Sequence, residues 1–146
     1  MSHHSATIEW QRNAEDFLDQ RYSRRHHWRF DGGTEVVASA SPHVVPVPLS
    51  DPAAVDPEEA FVASLSSCHM LWFLAIAARR GYRVDRYVDL AEGVMGRNAS
   101  GRRCITEVTL HPEVTWSGEP TPTPETVEAM HEEAHHECFL ANSVTA

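Results

Sequence analysis

Between Ala60 and Ala78 the chain runs for 19 residues without a charged side chain. Start and stop marks bracket this run. Asp56 suits an N-cap, Pro57 the first helical position, and Glu59 stands three residues after the cap, the spacing of a capping box with an acidic cap. Arg79 and Arg80 complement the negative end of a helix, and Gly81 suits the left-handed residue that closes one. The segment is therefore predicted to form one helix of about 24 residues, roughly 36 Å long at 1.5 Å per residue. Its length meets the crude test for a membrane span. Ser64, Ser66, Ser67, His69 and several alanines lower its hydrophobicity, however, and the rest of the chain is soluble in character. We read it as a core helix, which, being apolar all round, must be covered on most sides. A chain of 146 residues has few elements to cover so long a helix, so a second subunit is expected to cover part of it.

The flanking segments are β-rich. Ala6–Trp10 reads as a short strand followed by a loop or short helix. Arg24–Phe30 and Thr34–Ser39, joined by Asp31-Gly32-Gly33, read as a hairpin. Pro42, Pro46, Pro48 and Pro52 mark an extended loop leading to the helix. After Gly81, Val84–Val88, Ala91–Met95, Cys104–Leu110 and Glu113–Trp116 look like strands of a hairpin or meander. Glu125–Phe139 is predicted to be a second helix, with Thr123 as N-cap and Pro124 at its first position. Its inner face would carry Val127, Met130, Ala134 and Cys138. The pattern is α+β, one domain over residues 1–146.

A formal charge of −9 argues against nucleic acid or an anionic membrane surface as main partner. MSHHSATIEW has neither the basic start nor the apolar run of a signal peptide, so a cytoplasmic location is expected. In a reducing cytoplasm the three cysteines do not suggest a static disulfide framework. Metal binding, redox chemistry and plain packing are the options. Cys68, mid-helix, and Cys138, on an inward face, read either as buried packing or as a redox pair. In a redox pair one thiolate attacks an electrophilic oxygen and the other condenses with the sulfenic acid. Cys104, on a strand, is not expected to take part. Glu58 lies ten residues before Cys68, on about the same helix face but roughly 15 Å away along the axis. It complements the helix dipole, or holds an arginine that reaches the thiolate. Arg24 and Arg25 are candidates for that arginine. His69 follows Cys68, and His131, His135 and His136 precede Cys138. No structural-zinc spacing is present, although His131 and His135 share a face at i, i+4. No metal or cofactor is expected.

Two stretches, DPEEAFVASLSSCHM (Asp56–Met70) and EAHHECFLANS (Glu133–Ser143), resemble the OsmC/Ohr family of thiol-dependent peroxidases. The likeness spans most of the chain, and YSRRHHWRFDGG (Tyr22–Gly33) is similar to its OsmC-like branch. The resemblance implies an intertwined α+β homodimer with the helices buried between sheets. It implies a peroxidatic Cys68, a resolving Cys138, and an activating Arg24 paired with Glu58, with Arg25 and His69 as auxiliary candidates. It implies reduction of organic hydroperoxides, with hydrogen peroxide as an additional candidate, in oxidative-stress defence. A dithiol reductant such as a lipoylated protein would reopen the disulfide. His69 stands where the best-studied branch has an aromatic. The alternatives are a non-catalytic thiol or ligand-binding member of the same fold and a Cys/His metal protein.

Overall fold

A computed structural model describes residues 1–146. It divides into two compact units, Met1–Ala60 and Phe61–Ala146.

The amino-terminal unit is a three-stranded antiparallel sheet of β1 (Ala6–Glu9), β2 (His26–Phe30) and β3 (Glu35–Ala38), in that order. Trp28, in the central strand, faces Ile8 on one side and Val36 on the other. The β2–β3 turn closes on Gly33 at φ +94°, a conformation that suits glycine. Between β1 and β2 the chain makes turns and no helix. An aromatic cluster holds that segment: Phe17 stacks on Tyr22 at 4.7 Å and Trp10 meets Tyr22 edge-on at 5.5 Å. The proline-rich stretch brings the chain back beside β3, where Ser39 N–H donates to Val55 O and Val55 N–H to Val37 O.

Helix α1 spans Pro57–Arg79, and its start is the expected capping box. Glu59 N–H donates to Asp56 Oδ1 at 2.8 Å and Asp56 N–H to Glu59 Oε1 at 3.2 Å. Burial pushes the Asp56 carboxyl up, but hydrogen bonds from Glu59 and Glu58 outweigh it and hold the group below its ordinary value.

Within the carboxy-terminal unit α1 ends in a Schellman motif. Tyr82 N–H donates to Ala77 O, Gly81 N–H donates to Ala78 O, and Gly81 takes φ +84°. Four strands follow: β4 (Arg83–Asp89), β5 (Glu92–Arg97), β6 (Arg103–Thr109) and β7 (Pro112–Ser117). They do not pair in series as a meander would. β5 pairs with β6, and β4 pairs with β7 outside that hairpin. The register carries through the break: Glu92 faces Thr109 and, three positions on along both strands, Asp89 faces Pro112. The four strands are one long hairpin, interrupted at Leu90-Ala91 and Leu110-His111. Asp89 bridges the interruption, accepting from His111 N–H and from the Ser66 hydroxyl of α1. Gly93 lets the ribbon approach α1, since a Cβ there would meet Val62 Cγ2 at 2.7 Å.

Helix α2 spans Pro124–Glu137, and the Thr123 hydroxyl accepts from Thr126 N–H as its N-cap. The core of this unit is Phe73, Ile76 and Ala77 from α1 with Met130 and Ala134 from α2. Val84 and Tyr87 of β4 and Val114 and Trp116 of β7 pack against it. Arg80 Nη2 reaches Glu133 Oε2 at 2.6 Å, a second tie between the helices.

Burial in α1 follows one stripe: Leu65, His69, Phe73, Ile76 and Ala77. Another stripe, with Ser64, Ser67, Leu71, Ala75 and Ala78, is exposed, and Leu71 is 61% accessible. With a mean hydropathy of 1.7, α1 is long and apolar enough to cross a membrane by length and composition alone.

Candidate active site

Cys68 lies near the middle of α1, half-buried. Cys138 is fully buried and is the C-cap of α2 rather than a member of its inner face. Its N–H closes the last helical bond, to Ala134 O at 2.9 Å, and its ψ of 114° then turns the chain out of the helix. This placement sends the Cys138 sulfur to the helix end, close enough to the Cys68 thiol for that thiol to affect its ionisation. The backbone past the turn reaches back to the same sulfur, with Ala141 N–H donating to Cys138 Sγ at 3.4 Å. Burial, and then the neighbouring Cys68 thiol, push the Cys138 thiol above its ordinary pKa, against weaker help from the Ala141 and Leu140 amides. Cys138 therefore rests as a neutral thiol beside Cys68. Two neighbouring thiols can lose two electrons and two protons and become a disulfide. Cys104 lies away from this chemistry, on β6 opposite Gly96.

His69, one residue after Cys68, points into the core and is 7% exposed. Its Nε2 lies 2.9 Å from His131 Nδ1 of α2. The two rings are within 7° of parallel, and His131 stacks on Phe73 at 4.1 Å. One nitrogen donates and the other accepts, so the bond is complete with both rings neutral. Burial, then repulsion from His131 and His135, lowers the His69 pKa to about 4, against an opposing pull from Asp89. Burial also lowers that of His131. This partnership was not apparent from the sequence, where His131 stood out only as a possible chelating partner of His135. The two do not act together: His131 turns inward to His69, while His135 is exposed beside His136.

The remaining candidates belong to the amino-terminal unit. Arg24 Nη1 donates to the carbonyls of Gln20 at 2.8 Å and Tyr22 at 2.5 Å, and its guanidinium lies 3.6 Å over the Tyr22 ring. Arg25 pairs with Asp51 at 3.5 Å. Glu58, in the first turn of α1, lies beside the Asp56 carboxyl and helps to lower its pKa. The Arg24–Glu58 ion pair that the resemblance implies is not formed here, because neighbouring carbonyls and the Tyr22 ring hold the Arg24 donors.

The buried histidines set a pH dependence of stability. A folded-state pKa of about 4 for His69, against an ordinary 6.5, means that between those values the unfolded chain takes up a proton that the folded chain refuses. Stability is full above about pH 6.5 and falls as the pH drops toward 4, by on the order of 3 kcal/mol at most from His69. Thermal melts at pH 7 and pH 4.5 should show a fall in Tm that shrinks in His69→Gln. Equal falls in the two proteins would contradict this assignment.

Comparison with known proteins fits this geometry. The family model described as OsmC-like protein matches residues 50–146. The chain is 57% identical to a solved OsmC-like protein of unknown function from Vibrio cholerae, with a TM-score of 0.97 over 99% of this chain and 94% of that one. It is also similar to an organic hydroperoxide resistance protein from Elizabethkingia anophelis, at 19% identity and TM-score 0.72 over 98% and 88% of the two chains. A Legionella pneumophila organic hydroperoxide resistance protein gives 17% identity and TM-score 0.69 over 98% and 89%. These last two likenesses show the fold. A comparison with curated proteins finds no match. On the family match and the close Vibrio relative, the chain belongs to the OsmC-like family.

Proposed function

We propose that this protein is a cysteine-based peroxidase that reduces organic hydroperoxides. The observation that carries the reading is that the Cys68 and Cys138 thiols lie close enough to interact electrostatically, the one half-buried and the other buried. The organic hydroperoxide resistance proteins of the same fold support it. The Cys68 thiolate attacks the terminal peroxide oxygen, the O–O bond breaks, and the alcohol leaves with a proton. The resulting Cys68 sulfenic acid is attacked by Cys138 Sγ. The S–O bond breaks, water leaves with the Cys138 proton, and the disulfide closes. A dithiol, such as a lipoylated protein, reduces it again in the cytoplasm.

Arg24 is the better candidate for the cation that favours the thiolate. Its partners are two neutral carbonyls and a ring, so its charge is not offset by a carboxylate. Arg25 already pairs with Asp51. For Glu58 to orient that arginine, as the family resemblance implies, Arg24 would have to exchange its carbonyl partners for the carboxylate.

The functional unit is a homodimer. The uncharged face of α1 at Ser64, Ser67, Leu71, Ala75 and Ala78 is open in a single chain, and a second copy would cover it in place of water. Sedimentation at micromolar concentration should give twice the 16.3 kDa chain mass. A 16.3 kDa species throughout that range would contradict the dimer.

Turnover tests the activity. Wild type should reduce tert-butyl and cumene hydroperoxide with dihydrolipoamide as donor, and more slowly with glutathione. Cys68→Ser should fall to the rate of donor and peroxide alone. Cys138→Ser should reduce one equivalent and then stall. Wild type turning over no faster than Cys68→Ser with several peroxides would sink the reading.

A further inference from the structure

The His69–His131 pair sits beside the dithiol but outside its chemistry. On α1, His69 is the residue after Cys68; on α2, His131 is seven residues before Cys138, about two turns away. The other side-chain contacts between these segments include ring packing: Trp72 meets Phe139 edge-on at 5.5 Å, and Phe73 stacks on His131 at 4.1 Å. Such surfaces slide at little cost. The Arg80–Glu133 ion pair is exposed and lies at the far end of α1. The histidine bond is the directional contact between the two helices that is shielded from water in part. Its 2.9 Å length and near-parallel rings leave it little freedom, and Phe73, with no exposed surface, holds His131 from below. Stability alone does not require it. Two apolar side chains of similar shape would fill the same space without imposing direction or the cost of desolvating polar ring nitrogens. A disulfide, in contrast, demands direction, because its Cβ–Cβ separation is confined to about 3.5–4.5 Å.

We propose that the His69–His131 hydrogen bond is the positioning contact for disulfide closure: it holds α1 and the end of α2 at the spacing from which Cys138 Sγ reaches Cys68. The two rings bond each other, so they act through that spacing and not on the sulfurs. The inference rests on reading Cys68 and Cys138 as a redox pair, but it is tested without peroxide.

The test is a redox titration of the full chain at pH 7 in buffers of reduced and oxidised glutathione. One glutathione disulfide closes one Cys68–Cys138 bridge and leaves two glutathione thiols, so electrons and protons balance. Mass analysis reads the bridge, and thermal melts report folding. Losing one hydrogen bond from the aligned state should weaken closure by about tenfold, so His69→Leu and His131→Phe should need that much more oxidising buffer for half-closure. His69→Gln and His131→Asn place an amide where Nε2 and Nδ1 stood and should close close to the wild-type ratio. If His69→Leu does not fold, His131→Phe, which keeps the stack on Phe73, carries the test. Folded apolar variants closing at the wild-type ratio would overturn the proposal. So would amide variants as impaired as the apolar ones, since packing would then be the cause. A wild type that closes the bridge in glutathione but ignores peroxides would refute the peroxidase reading and leave this one standing; a wild type that never closes it would refute both.

Discussion

Cys138 is the residue at which α2 stops, and Cys68 lies near the middle of α1, so their thiols meet only while the end of one helix stays packed on the centre of the other. The uncharged run in α1 makes that packing possible, because a charged side chain there would need a partner or a desolvation cost of several kcal/mol. Phe73, Ile76 and Ala77 meet Met130 and Ala134, and the β4–β7 ribbon covers them. The two sulfurs are thereby placed on two helices instead of on long loops, which favours precision. Asp89 extends the same logic to the ribbon: it joins Ser66 of α1 to the break beside His111 and faces the histidine pair electrostatically.

The environments of the two sulfurs differ. Cys138 has no exposed side chain to speak of and a raised pKa, whereas Cys68 is half-buried. In the proposed reaction the more accessible thiol would meet the oxidant and the buried one would wait for the sulfenic acid, a division of labour that follows from burial. In the amino-terminal unit, the Trp10–Phe17–Tyr22 cluster and the Gln20 carbonyl fix where the Arg24 guanidinium rests. The position of a positive charge is thus set by a loop whose aromatic content stood out less in the sequence than the arginines themselves.

Much of α1 was legible because local chemistry alone decides it. Asp56, Pro57 and Glu59 start the helix and Gly81 ends it, and each signal needs only residues within a turn. Thr123 and Pro124 marked the start of α2 for the same reason. The strands were legible as strands but not as a nested ribbon. Leu90-Ala91 and Leu110-His111 look like turns between consecutive strands, and only pairing across the sequence reveals one interrupted hairpin. Helical spacing carried Cys138 into α2, whereas the structure turns the chain there so that the side chain leaves the end of the helix. His69 was visible as an oddity beside Cys68. Its partner His131 is 62 residues away, and no local periodicity links them.

The pairing of Cys68 with Cys138 is tested most directly by identifying which sulfurs join on oxidation. The reduced protein, treated with one equivalent of tert-butyl hydroperoxide, would be blocked with an alkylating agent, digested without reductant and analysed by mass spectrometry. The expected result is a peptide pair linked through Cys68 and Cys138, with Cys104 alkylated. Recovery of Cys68 and Cys138 as separate alkylated peptides, or of a bridge through Cys104, would contradict the site described here.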